Sequence, residues 1–218
     1  MTAALDRLRP ALFRTMFEHP ADEWPVRHLG ELIADSRLGL VRAAAAQGPD
    51  LPHPYMKMDA ISRSGHLLPE KFTRVDATEV ERATTSAQDG DLLFNTRNTR
   101  DLVGKSVVYR GAPILYNNNL MRLRFTPDVT ADYVHAYLWS RAGVRQLEAR
   151  KAGTTSVFAI YAKALATVAV PVPPRELQSA FSQALAGEAV TRETLSRRRG
   201  RLSSLRTSLQ ARAFSGRL

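Results

Sequence analysis

The sequence contains no cysteine, which excludes disulfide bridges, thiolate metal sites and cysteine nucleophiles. It also has no apolar run approaching the roughly 18 residues of a membrane span. The N-terminal region carries Asp6, Arg7, Arg9 and Arg14 where a secretory signal needs an unbroken apolar core. We therefore expect a cytoplasmic protein.

Lysine is also scarce, since only five of the 31 basic residues are lysine and the others are arginine. Against 21 acidic residues, they give a formal net charge of +10. This balance favours polyanionic partners such as nucleic acid, although an arginine-rich genome would produce the same bias. The 218 residues, 44% of them hydrophobic, suffice for one globular domain with an extension.

Sequence signatures of catalysis are missing. The only Pro-Pro pair, Pro173-Pro174, does not form the (Asn/Asp/Ser)-Pro-Pro-(Tyr/Phe) loop of amino-methyltransferases. No lysine follows an acidic residue by two positions, as in common nucleases, and no P-loop or glycine-rich dinucleotide turn occurs. The five histidines lack metal-ligand spacing. The sequence thus predicts a non-catalytic chain with no metal and no cofactor of its own.

The C-terminal segment, residues 173–218, has apolar residues at helical spacing and no proline after Pro174. One continuous helix over residues 175–214 would be roughly 60 Å long. Such a rod predicts a coiled-coil spacer or partner surface. The residues expected to form its dimer or partner contacts are Leu177, Phe181, Leu195, Leu202, Leu205 and Leu209.

A shorter helix is predicted over residues 2–18, ending near His19-Pro20. It repeats part of the C-terminal pattern at a constant offset of 197 positions. The repeated residues are Leu5, Leu8, Arg9, Leu12 and Phe17, which recur as Leu202, Leu205, Arg206, Leu209 and Phe214. We therefore predict a duplicated helix end on either side of a globular middle.

The middle of the chain has a mixed α/β (α+β) pattern. Strands are predicted over residues 39–41, 55–61, 91–94, 104–109, 120–125 and 165–172. Helical spacing occurs over residues 28–34 and 130–151, with Thr130 as the cap of the second stretch. Residues 70–87 are interpreted as a loop or an irregular helix.

Polar loops connect these strands, and two of them carry asparagine and arginine. Residues 95–100 follow one strand, and Asn117 to Asn119 precede another. Arginine can bind guanine O6 and N7 in a fork, and asparagine can do the same with adenine N6 and N7. The alternative is that these residues only form turns.

A third polar stretch, residues 150–156, follows the second helical pattern. Its cations, glycine and hydroxyls suit contacts with DNA phosphates, although a helix end with a glycine turn would have the same composition. The complete set of predicted DNA-contacting residues is Lys57, Asn95, Arg97, Asn98, Arg100, Lys105, Asn117, Asn118, Asn119, Arg122, Arg150, Lys151, Thr154 and Thr155.

Taken in order, these segments resemble the specificity (S) subunits of type I restriction–modification systems, in a half-length form with a single target recognition domain. The matching stretches are Leu8 to Phe17 with Trp24-Pro25, Pro54 to Ile61, Gly90 to Asn98, Val103 to Lys105, Tyr116 to Leu120, Gly153 to Thr155, Val170 to Pro174 with Gln178, and Leu205-Arg206 through Ala213 to Leu218. One departure is Leu177, where the family usually has glutamate.

The resemblance implies a target recognition domain over residues 20–172, an N-terminal helix over residues 1–19 and a long coiled-coil spacer and dimerisation helix over residues 173–218. It implies double-stranded DNA, a methylation subunit and a restriction subunit as partners. Because family members typically carry two such domains, a half-length form would pair with itself or with a second half. AdoMet is expected in the methylation subunit, and residues 5–17 should pack near the long helix.

Two other functions are compatible with the sequence. The chain could be a coiled-coil scaffold without DNA readout, which would show no salt-dependent DNA affinity. It could also be a detached recognition module of another methyltransferase or phage-defence system, in which case its partner would not be a type I methylation subunit.

Overall fold

A computed structural model describes residues 2–18, 24–153 and 156–187 of the protein. Its helices are α1 (Thr2–Phe17), α2 (Leu29–Leu32), α3 (Glu79–Thr85), α4 (Ala131–Trp139), α5 (Arg141–Glu148), α6 (Ala162–Ala166) and α7 over residues 175–187. Its strands are β1 (Val26–His28), β2 (Ile33–Leu38), β3 (His53–Met56), β4 (Thr73–Val75), β5 (Ser86–Ala87), β6 (Leu92–Asn95), β7 (Arg97–Asn98), β8 (Ser106–Val108), β9 (Ile114–Tyr116), β10 (Leu120–Phe125), β11 (Ala152–Gly153), β12 (Phe158–Ala159) and β13 (Ala169–Pro171).

The strands form four small sheets, two of which are stacked. The central sheet has the order β2-β10-β6-β8 and is antiparallel. The second has the order β4-β3-β9-β5, and its β3–β9 pair is parallel. A third sheet, β11-β12-β7, and the two-stranded pair β1-β13 complete the set. The mixed α/β prediction for the globular domain is confirmed.

The alternation of side chains along β6 explains the layering. Leu92 and Phe94 lie in the core cluster that contains the helices, whereas Leu93 lies in the cluster shared with the second sheet. In β10, Leu123 lies in the cluster that contains the helices and Leu120 in the cluster shared with the second sheet. Because successive strand residues point to opposite faces, the central sheet is covered by helices on one side and by β4-β3-β9-β5 on the other.

The helical stretch over residues 130–151 consists of two helices. Thr130 caps α4 by accepting a hydrogen bond from the backbone N–H of Tyr133 at 3.1 Å, as predicted. Ser140 then adopts an extended conformation and caps α5 through the backbone N–H of Gly143 at 3.2 Å. Its hydroxyl competes with the backbone, which is why serine interrupts helices.

Other predicted elements need correction. The strand is β2, over residues 33–38, and not residues 39–41; a Cβ at Gly39 would lie 2.1 Å from a backbone oxygen of Tyr116, so only glycine fits there. The strand predicted over residues 55–61 ends at Met56, and the one over residues 165–172 is shortened because α6 precedes β13.

Residues 70–87 are more ordered than predicted. They contain β4, α3 and β5. Thr78 and Glu81 form a capping box, in which each side chain bonds the other residue's backbone N–H at 3.2 and 2.9 Å. This Thr-x-x-Glu signal was present in the sequence and was missed.

The N-terminal helix packs against the globular domain and the start of α7. Phe13 and Phe17 are buried, with ring centroids 6.2 and 5.2 Å from that of Phe181. The expected proximity of residues 5–17 to the C-terminal helix is observed for these aromatic residues. However, Phe181 is buried in the core of its own chain, which corrects its assignment as a dimer contact, whereas Leu177 is only partly buried against the same core cluster. Leu195, Leu202, Leu205 and Leu209, with the predicted coiled coil, lie outside the described residues.

Among the described helices, none is both long enough and apolar enough to span a membrane. In the same part of the chain, no group of three or more His, Asp or Glu side chains is arranged to hold a metal ion.

Candidate nucleic-acid interface

The polar loops predicted to contact DNA come together at one end of the central sheet. Thr96, immediately after β6, donates from its backbone N–H and its hydroxyl to the carbonyl of Asn119 at 2.8 and 2.9 Å. Its own carbonyl accepts from the N–H of Ile160 at 2.9 Å. Asn95 N–H donates to the carbonyl of Lys105 at 2.7 Å. Residues widely separated in sequence are therefore neighbours in the fold.

The turn that contains Lys57 joins the same region. Asn117 N–H donates to the carbonyl of Met56 at 3.0 Å, and Asn119 Nδ2 lies 3.7 Å from Met58 Sδ. These contacts place half-buried Lys57 beside the asparagine triplet.

The small sheet β11-β12-β7 connects residues 97–100 to residues 150–153. In its register, Asn98 is opposite Phe158 and Arg97 is opposite Ala159. Lys151 Nζ donates to the carbonyl of Arg100 at 2.7 Å. Thr154 and Thr155, which follow β11, lie outside the described residues.

The residues predicted to contact DNA differ in their exposure. Arg97 and Asn118 are exposed, and Asn98 is half-buried, with its Oδ1 accepting from the N–H of Thr99 at 2.8 Å. Within the described part of the chain, the side chains of Arg97 and Lys57 form no ion pair or hydrogen bond. Their charges are thus available to a polyanion.

Arg100 and Lys151 share one acidic residue. Arg100 donates to Glu148 from Nε and Nη2 at 2.9 and 2.6 Å, and Lys151 Nζ lies 2.6 Å from the other oxygen. The guanidinium also lies over the ring of Phe158, 5.6 Å from its centroid. Hydrogen bonds from Lys151 and then Arg100 lower the pKa of Glu148, so this carboxylate is charged at neutral pH and reduces the positive charge presented here.

The side chains of Asn95 and Asn117 are buried. Asn95 Nδ2 donates to the carbonyl of Leu102 at 3.3 Å, which stabilises the loop over residues 96–103. We therefore correct these two predictions, because buried side chains are not accessible to DNA.

The predictions that Arg122 and Arg150 contact DNA are also corrected, because both guanidinium groups are engaged by partners within the chain. The side chain of Arg122 is only 6% exposed between the stacked sheets, where it pairs with Asp35 and donates to the carbonyl of Ser86 at 2.9 Å. Arg150 donates to the carbonyls of Gln146, Ala164 and Thr167 at 2.8 to 3.0 Å. Its guanidinium thereby holds α5 against α6.

A cleft next to these loops was not predicted. It has a volume of about 330 Å³ and is lined by Arg63, Asp101, Val103, Gly104, Lys105, Leu138, Trp139, Val144, Leu147 and Lys151. Burial, and secondarily the proximity of Arg63, lower the pKa of Lys105. Arg63 stands in a Ser-Arg-Ser-Gly turn without a recognisable motif, so the sequence alone gave no signal for it.

Comparisons with known proteins agree with the resemblance found in the sequence. No protein-family model matches the chain. The type I restriction enzyme MjaX specificity subunit of Methanocaldococcus jannaschii is 26% identical over 170 residues, covering 75% of this chain and 39% of the relative. The type I restriction enzyme EcoKI specificity subunit of Escherichia coli K12 is 25% identical over 197 residues, covering 86% of this chain and 41% of the relative. The chain therefore spans about two fifths of the length of these relatives.

Solved structures show a similar fold. The HsdS subunit from Thermoanaerobacter tengcongensis matches 99% of this chain and 52% of its own, with a TM-score of 0.54 and 20% identity. A structure from work on complex assembly and conformational transition of the type I R-M system matches 100% of this chain and 55% of its own, with a TM-score of 0.55 and 19% identity. The resemblance to type I specificity subunits is confirmed, and both curated relatives are named as specificity subunits of type I restriction enzymes.

Proposed function

We propose that this chain is the non-catalytic DNA-recognition component of a type I restriction–modification complex. The observation that carries the proposal is the convergence of polar loops on one end of the central sheet, in a chain that aligns with two named specificity subunits. Exposed Arg97 and Asn118, with half-buried Asn98, are the side chains we assign to base contacts. Lys57, Arg100, Asn119 and Lys151 would border them and contact phosphates.

The proposal also assigns chemistry to other polypeptides. A methylation subunit would hold AdoMet and modify the base, and a restriction subunit would cut DNA. We place the docking of these subunits on the leucines of residues 188–218. The complex would work in the cytoplasm.

The single recognition domain would read one half of a bipartite target. Pairing with a second copy, or with a different half-subunit, would then supply the other half, and two-fold pairing of identical copies would select an interrupted palindrome. The similarity to about two fifths of each curated relative supports this proposal.

Reconstitution with the methylation and restriction subunits from the same genome tests the function. Methylated bases are mapped in DNA from cells that express the complex, with cells lacking only this chain as the control. We expect one interrupted motif, methylated only when the chain is present. Methylation that continues unchanged without the chain would refute the proposal. Assembly with a methyltransferase of another class would instead identify a detached recognition module.

A further inference from the structure

The cleft between the loop over residues 96–103 and helices α4 and α5 has a strongly uneven charge. Arg63, Lys105 and Lys151 are its three cations, and Asp101 is its one acidic lining residue. Lys151 already pairs with Glu148. Within the described ranges, the side chains of Arg63 and Lys105 form no salt bridge or hydrogen bond. Arg63 and Lys105 therefore share this cleft, and exposed Asp101 is the one acidic residue that lines it.

The shape of the cleft separates an apolar floor from a charged rim. Val103, Leu138 and Leu147 are buried and form the floor. Arg63 is exposed and Lys105 is partly exposed at the rim. Water has little access to the floor, so an anion at the rim would interact with both cations through a medium less polar than bulk water.

The cleft is physically joined to the loop assigned to base contacts. Gly104 N–H donates to the carbonyl of Asn95 at 2.9 Å, so Lys105 lies next to the strand that leads into Arg97. On the other side, Lys151 donates to the carbonyl of Arg100 in the same loop. An anion bound in the cleft would thus be fixed relative to Arg97.

We propose that this cleft binds a backbone phosphate of duplex DNA, held by Arg63 and Lys105, and so fixes the register in which the loop over residues 96–103 meets the bases. This inference rests on the proposed function and adds Arg63 and the cleft to it. Phosphate contacts position a protein on DNA without reading sequence. The cleft therefore contributes to affinity at every site and not to the choice of motif.

The test measures duplex binding by the complex reconstituted with its methylation subunit, as a function of salt. Lys105→Gln and Arg63→Gln each remove one charge while keeping much of the side-chain length. Each should make the negative slope of log affinity against log salt shallower, by up to about 0.9, and equally for the mapped motif and a scrambled duplex. Asp101→Asn should change affinity in the opposite direction. Arg82→Gln is the matched control, because Arg82 lines a separate cavity with His53 and Pro113.

The outcomes distinguish the two proposals. Wild-type salt slopes in both Gln variants, with DNA binding intact, would overturn the phosphate site alone. A changed preference for the motif would also overturn it, since that identifies base readout. Normal DNA binding with impaired recovery of the methylation subunit would show that the cleft binds an acidic segment of a protein instead. Absence of duplex binding by the wild-type complex would remove both proposals.

Discussion

Arg100 donates two hydrogen bonds to Glu148, from Nε and Nη2 to the same carboxylate oxygen, at 2.9 and 2.6 Å. The Arg100 side chain is nevertheless 62% exposed, so the pair lies on the surface. Exposed ion pairs add little to stability. We interpret Glu148 as a residue that moderates the charge of the interface.

Glu148→Gln should therefore strengthen binding to non-specific DNA. The substitution releases Arg100 and Lys151 from a shared carboxylate, and their charges can then be neutralised by phosphates. One or two additional phosphate contacts should make the negative slope of log affinity against log salt steeper by about 0.9 to 1.8. Glu70→Gln, at an exposed acidic residue elsewhere, controls for net charge. An equal increase in both variants would reduce the effect to general electrostatics.

Replacing Arg97 and Asn98 together should relax or abolish sequence preference. Arg97→Ala removes the exposed fork, and Asn98→Ser removes the amide while keeping an oxygen for the N–H of Thr99. A lost bidentate base contact typically costs about 1–3 kcal/mol of discrimination. The measurement is the methylation motif of the reconstituted complex, with assembly checked by its mass in solution. An unchanged motif would exclude this loop from base readout.

The buried central strands were predictable, because the core of this fold follows simple periodicities. Leu92 to Phe94 and Leu120 to Leu123 alternate between two buried faces, and their apolar character identified β6 and β10. The short strands β1, β4, β5, β7, β9, β11 and β12 were not predicted, β2 was placed too late in the chain, and the region of α3 was interpreted only as a loop or an irregular helix. The regular helix was not distinguished from a loop, because the capping-box pattern of Thr78 and Glu81 lies among charged residues without apolar periodicity.

The members of the site were harder to predict than its location. Asn95 and Asn98 look equivalent in sequence, yet Asn95 ends β6 opposite Leu120 and is buried, whereas Asn98 lies in the small outer sheet. Arg122 alternates with Met121 and Leu123, which predicts an opposite face but not that a second sheet covers it. Burial of polar residues is decided by tertiary packing, which sequence periodicity does not encode.

Gln178→Ala should destabilise the domain strongly. The buried amide accepts from the N–H of Thr130 at 2.8 Å and donates to the carbonyls of Pro173 and Asp128 at 2.8 and 3.0 Å. Truncation leaves these backbone groups without partners, and we expect a loss of about 2–4 kcal/mol in the free energy of unfolding. Gln183→Ala, on an exposed position of α7, should change stability by less than about 0.5 kcal/mol. Equal effects in a denaturant titration would contradict the assigned role.

Leu202→Asp combined with Leu209→Asp tests the predicted coiled coil, which lies outside the described residues. If both leucines lie on an apolar seam, charges there should disrupt assembly, because burying an unpaired carboxylate is unfavourable. The domain itself should melt at nearly the same temperature. Ser203→Asp with Ser208→Asp adds the same charge off the predicted seam. Sedimentation or light scattering measures the outcome, and an unaltered mass in the leucine variant would refute the helix assignment.

A buried histidine should make stability depend on pH. His135 Nε2 lies 2.8 Å from Nη1 of Arg9, and because a guanidinium can only donate, that nitrogen must accept and remain unprotonated. Nδ1 then carries the proton and donates to Ser106 Oγ at 3.0 Å, which also accepts from Trp139 Nε1 at 3.1 Å. Burial, and secondarily the neighbouring Arg9 and His66, hold the pKa of His135 well below its usual 6.5.

The sign of this dependence follows from proton linkage. Below about pH 6.5 the unfolded chain binds a proton at His135 that the folded chain does not, so stability decreases as the pH falls, by at most about 1.4 kcal/mol per pH unit. Carboxylates with lowered pKa values, such as Glu81, make stability depend on pH only in a lower pH range. In His135→Gln, the unfolding midpoint should depend less steeply on pH between about pH 5 and 6.5 than in the wild type, even if the substitution lowers the midpoint at every pH. A wild-type slope that persists in this variant would assign the proton uptake to another group.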